Sequence, residues 1–151
     1  MHPQHHTLFI DYCAYFNGNG DFFECHEVLE EYWKDIAPGN KKHPLVGYVQ
    51  LATGLYHWRR GNATGAFKIL HKALTNFQVN KGNVFFNEID YTKLLLQLTE
   101  TLSHIQMGKS FQAFQLPLTP TLQNLVTARI QLLPESNPNY LLHKHMLRDR
   151  S

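Results

Sequence analysis

Apolar residues recur along the chain at helical rather than strand spacing, and no run of alternating apolar and polar residues competes with them. An all-α protein is expected, built as an irregular bundle of about five helices. Leu8, Tyr12 and Tyr15/Phe16 form the stripe of a first helix over residues 7–16, which Asn17-Gly18-Asn19-Gly20 stops. Asp21, three residues before Glu24, starts a second helix that reaches about Ile36 and breaks at Ala37-Pro38-Gly39-Asn40. Pro44 suits the first turn of a third. Residues 45–58 carry no charge over about four turns, so this helix must be buried on most sides and should lie at the centre. Gly47, Ala52 and Gly54 would let its neighbours approach closely, and Arg59-Arg60-Gly61-Asn62 ends it. Ala66, Ile69/Leu70, Ala73 and Phe77 mark a fourth helix, closed by Asn80-Lys81-Gly82-Asn83. A fifth, capped by Asn87 or Asp90, carries Leu94/Leu95, Leu98, Leu102 and Ile105 and stops at Gly108.

After Lys109 the texture changes. Pro117, Pro120, Pro134 and Pro138 leave room only for short pieces, such as a helix over 122–133. Residues 140–150 mix Leu141, Leu142, Met146 and Leu147 with His143, Lys144, His145, Arg148 and Arg150, as a docking helix for a partner subunit or a basic tail would. The expected organisation is a helical core over 1–109 and a Pro-rich C-terminal extension over 110–151, both in one structural unit. A chain of 151 residues can bury a single core of useful size.

Composition narrows the function classes. Fourteen Lys and Arg against twelve Asp and Glu give a net charge of +2, far from the basic balance a nucleic-acid surface needs, so no nucleic-acid partner is expected. No stretch approaches the ~20 apolar residues of a membrane span. Cys13 and Cys25 fall on separate predicted helices and make no disulfide framework, which points to a reduced, cytoplasmic protein. Histidine is the compositional outlier with ten copies, but five of them (His2, His5, His6, His143 and His145) belong to the terminal segments. Interest therefore falls on His26 and His57.

On the second helix Phe22, His26, Leu29, Trp33 and Ile36 share one stripe, which would aim His26 at the core with Glu30 on the stripe's border. Glu24, Glu27, Glu31 and Lys34 occupy the other, solvated side. On the third helix Gln50, Thr53 and His57 form a polar line in an apolar element. A short connection near Asn40 would make the two helices antiparallel neighbours, with Glu30 opposite Gln50 and His26 opposite Thr53 or Gly54. Gly54 would then leave space beside His26. Cys25 is next to His26, but neighbours on a helix diverge by about 100°, so a buried structural thiol is expected there rather than an activated nucleophile.

The runs Asn17 to Phe23, His26-Glu27-Val28-Leu29-Glu30-Glu31-Tyr32-Trp33-Lys34, Gly54-Leu55-Tyr56-His57 and Arg60-Gly61-Asn62-x-x-Gly65-Ala66 resemble those of the bacterial and archaeal domain-of-unknown-function family 309. The resemblance spans roughly residues 7–105 and implies a small all-α domain of about five helices, with no assigned reaction.

Three readings of the polar cluster follow. His26, Glu30, Gln50, Thr53 and His57 could satisfy one another as buried polar groups must. They could floor a pocket lined by Phe22, Phe23, Trp33, Tyr56 and Trp58 that takes a small aromatic or anionic ligand. Or His26, Glu30 and His57 could hold zinc, iron or manganese and activate a water for hydrolysis. The preferred statement is a small-ligand or protein-binding domain organised around His26, Glu30 and His57, with Phe22, Trp33, Gln50, Thr53, Gly54 and Tyr56 as pocket residues and no cofactor. The alternative is a metal-dependent hydrolase that uses the same cluster and a divalent metal. The C-terminal extension is a candidate surface for a homo-oligomer.

Overall fold

The computed structural model describes residues 1–133, and these contain six α-helices. They are α1 (Thr7–Ala14), α2 (Phe22–Ile36), α3 (Pro44–Arg59), α4 (Ala63–Val79), α5 (Tyr91–Gln106) and α6 (Pro120–Ile130). The five expected helices are all present, and the extension contributes the sixth. An isolated antiparallel bridge between Ile89 and Leu118 is the one β-type pairing among the described residues. Pro134, Pro138 and the suggested docking segment at 140–150 lie outside the described residues. Among the described residues, no helix is long and apolar enough to cross a membrane.

The helices start where side-chain oxygens can take the free N–H groups of a first turn. Asp21 accepts from Glu24 N–H, Asn62 from Gly65 N–H and Asp90 from Lys93 N–H. The first helix does not end cleanly at Phe16. It loosens into a π turn over Tyr15–Asn19, and Asp21 N–H bonds back to Tyr15 C=O at 3.1 Å.

The helix α3, uncharged until Arg59 at its end, is the central element, with buried residues around most of its circumference. It packs on α2 and α4; α1 covers α2 on its far side and carries α6, and α5 packs on α4. The approach of α3 to α4 depends on two glycines. A Cβ at Gly47 would overlap Asn76 and Phe77, and one at Gly54 would overlap the side chain of Leu70. The core between these layers is rich in rings, with Tyr48 touching Phe9, Tyr12, Phe77 and Phe86. The buried phenols are satisfied: Tyr12 O–H donates to Tyr48 C=O and Tyr48 O–H to Phe85 C=O, both at 2.7 Å.

The segment after Lys109 lies on this core. Leu116, Leu122 and Val126 are buried. Asn17 grips the passing backbone, donating from Nδ2 to Leu116 C=O and accepting Leu116 N–H at its Oδ1. Arg129 Nε meets Asp11 Oδ1 at 2.6 Å and ties α6 to α1.

Candidate functional site

The two antiparallel neighbours α2 and α3 do meet, but α2 is rotated from its expected phase. Its buried stripe is Phe22, Cys25, Leu29 and Tyr32. His26 therefore does not point into the core. It stands half-buried at the edge of the helix pair, with its side chain 32% exposed. Its Nε2 contacts Glu30 Oε2 at 2.9 Å, and its Nδ1 lies 3.5 Å from Glu27 Oε1. Glu30 in turn binds Lys34 Nζ through Oε1 at 2.7 Å. The hydrogen bond from Lys34 is the main reason the Glu30 carboxyl sits below the ordinary glutamate value; partial burial opposes it and the nearby His26 adds to it.

Beside His26 a groove of about 220 Å³ opens between the two helices, lined by Phe22, Phe23, His26, Thr53, Tyr56, His57 and Arg60. The rings of Phe23 and Tyr56 meet across the helix pair at 5.9 Å between centroids. Thr53, Tyr56, His57 and Arg60 follow one another at i, i+3, i+4 and i+7, so a single face of α3 supplies one whole wall. That face ends in a rigid staple. Asn62 N–H bonds to His57 C=O and Gly61 N–H to Trp58 C=O, both at 2.9 Å, with Gly61 at φ 85° in the left-handed region. Asn62 thus closes α3 and, through its side chain, opens α4.

Several expected members stand elsewhere. Trp33 is not at the groove, because the rotation of α2 carries its indole to the α2–α3 connection, where N–H donates to Asn40 C=O at 2.9 Å. Gly54 leaves no space beside His26; it is buried and faces Leu70 of α4. Trp58 turns to the other side of α3 and donates to Lys109 C=O at 3.3 Å. Gln50 lies outside the groove lining, and neither its Oε1 nor the Thr53 Oγ1 makes a hydrogen bond among the described residues, although both atoms are out of water. Within the expected network the His26–Glu30 contact is present, while Gln50 Oε1 and Thr53 Oγ1 bond to none of the others. His26, Glu30 and His57 do not converge as metal ligands, and no group of three or more His, Cys, Asp or Glu among the described residues is arranged to hold an ion. The physical reason is that His26 is engaged along its own helix by Glu27 and Glu30, while His57 belongs to the opposite wall.

Two cations near the groove differ sharply. Arg59 is a structural clasp: its Nη1 donates to Gly20 C=O at 2.6 Å and its guanidinium lies 4.8 Å from the Phe22 ring centroid. Arg60 lies 5.5 Å from the Tyr56 centroid and lines the groove. In the sequence Arg60 is one of the residues that end α3. Its i+7 relation to Thr53 and i+4 relation to Tyr56 are the signal that places it on the groove face.

Similarity to known proteins bears on the same stretch. The family described as a domain of unknown function, DUF309, matches residues 9–69. An uncharacterized protein, YpuF of Bacillus subtilis (strain 168), is 34% identical over 161 aligned residues, covering all of this chain and 90% of its own length. The chain belongs to the DUF309 family. No solved structure matches it. The DUF309 match runs from α1 into α4 and so contains every residue that lines the groove.

Proposed function

We propose that this DUF309 domain is a small-molecule-binding module whose site is the α2–α3 groove and whose ligand has a flat, apolar body. One observation carries the reading: Phe22, Phe23 and Tyr56 wall a mainly apolar space between α2 and α3 that His26, His57 and Arg60 also line. Ligand sites combine such walls with a few placed polar groups. At about 220 Å³ the groove is below the ~300 Å³ lower end of drug-sized pockets and holds roughly seven waters' worth of space, enough for one ring-sized body. Space for one ring-sized body favours a small molecule over a protein as occupant.

A cytoplasmic setting belongs to the same reading, supported by Cys13 and Cys25 being free thiols, and nucleic acid stays outside it on the small net charge of +2. Self-association through the extension is supported by the exposed Leu125 and Leu132; sedimentation of the full chain tests it.

The groove is tested by amide and methyl NMR of the full chain against a set of neutral aromatic fragments. Binding should move the resonances of Phe23, Thr53, Tyr56 and His57 together, and Phe23→Ala should weaken it. A set in which no fragment touches those residues sinks the proposal.

A further inference from the structure

Deepening the groove reading, and resting on it, we infer that the ligand is a monoanion, a ring-sized apolar carboxylate whose charged group is taken by Arg60. Among the described residues Arg60 has no carboxylate within ion-pairing distance, whereas Lys34 and Arg129 are paired with Glu30 and Asp11. Its Nε makes no hydrogen bond among the described residues. The guanidinium lies over the Tyr56 ring, 5.5 Å from its centroid. A planar guanidinium at the groove suits the planar, two-oxygen face of a carboxylate.

The rest of the groove limits both charge and orientation. At the other end His26 is already bracketed by Glu27 and Glu30, so that end offers no spare positive charge and repels a second negative one. One uncompensated cation therefore calls for one anionic group, placed at the Arg60 end. The apolar body then lies along Phe22, Phe23 and Tyr56 towards Thr53. Thr53 is seven residues from Arg60, about 10 Å along the helix axis, and marks the far end of this wall.

The test titrates the full-length protein with a series of aryl and arylalkyl carboxylates, phenylacetate first, and with their matched primary amides, by NMR and calorimetry at pH 7. The carboxylates should shift Thr53, Tyr56 and Arg60 and bind about tenfold or more tightly than the amides. Arg60→Gln should abolish that preference, and Arg60→Lys should keep part of it, with unchanged circular dichroism and melting temperature in both. Equal binding of acids and amides overturns the monoanion while leaving the groove reading intact. A preference that survives Arg60→Gln removes Arg60 from the role. If neither series perturbs the groove, the groove reading itself falls.

Discussion

His26 Nε2 and Glu30 Oε2 stand 2.9 Å apart one turn along α2, and the second oxygen of Glu30 holds Lys34 Nζ at 2.7 Å. This three-membered chain runs along the half-exposed edge of the helix, where solvent screens it. Glu30→Gln should therefore lower stability at pH 7 by under about 1 kcal/mol. The sign of its pH dependence follows from the lowered carboxyl of Glu30. The stabilisation is fully present above the unfolded value, about 4.3, and is lost as pH falls through the lower folded value. Urea midpoints of the two proteins should differ at pH 7 and draw together as the pH falls below the ordinary glutamate range. A difference that persists in acid would mean that the glutamate acts through packing. The same exposure changes the expectation for His26→Ala, from the ~1–3 kcal/mol of a core histidine to under about 1 kcal/mol.

Most of the fold was legible because turn-forming residues sit at the ends of clear helical periods. Asp21, Asn62 and Asp90 are each followed three residues later by the N–H they cap. The absence of charge over residues 45–58 likewise marked the central helix. The phase of α2 was not legible. Phe22 and Leu29 are buried on either choice, so the outcome turns on Cys25 and Tyr32 against His26 and Trp33. Tyr32 wins because the N-terminal segment covers it: its O–H donates to Pro3 C=O at 2.8 Å and His6 stacks on its ring at 4.1 Å. That contact joins residues 29 apart and leaves no periodic trace. Of the site, spacing gave a polar line of Gln50, Thr53 and His57 on α3, and the groove is lined by Thr53, Tyr56 and His57 but not by Gln50. Gly54 misled, since a missing side chain shows that something comes close without showing whether it is a ligand or, as here, Leu70.

The contact of Gly54 with Leu70 gives a second prediction. A methyl group added at Gly54 has no room in a packed helix pair, so Gly54→Ala should destabilise by about 1–3 kcal/mol. Combining it with Leu70→Ala should recover part of that loss, giving a coupling that a thermodynamic cycle of thermal or urea unfolding reads directly. Additive losses would show that α3 and α4 adjust independently of this contact.

The thiols supply a third. Cys13 and Cys25 are fully buried, and Cys25 Sγ donates to Tyr12 C=O at 3.3 Å. Burial pushes both thiols up, so they stay neutral in the folded chain while the unfolded chain ionises them above about pH 8.5. Their contribution is fully present below that pH and declines as pH rises. Native protein should resist iodoacetamide at pH 8 over times in which the urea-unfolded chain takes up two labels, as mass spectrometry will count. Rapid native labelling of Cys25 would show that the α1–α2 seam opens.

The extension yields the last prediction, and it concerns where the domain ends. Leu116 is 2% exposed, and Leu122 and Val126 are fully buried. Side chains of this size stabilise by about 1.5–3 kcal/mol each when buried. Three of them, with the Asn17 clasp on Leu116 and the Arg129–Asp11 pair, account for a large share of the ~5–15 kcal/mol that holds a domain together. Cutting the chain after Lys109 would also expose the faces of Phe16 and Phe22 that Phe114 and Phe111 cover. A chain ending at Lys109 should therefore lack a cooperative melting transition by circular dichroism, rather than merely lose a contact to a partner. The point variant Val126→Ala should lower stability by an amount in the range of buried methyl deletions, about 1–3 kcal/mol. If residues 1–109 instead melt cooperatively at the temperature of the whole chain, α6 and the strap before it are dispensable, and the helical core is complete without them.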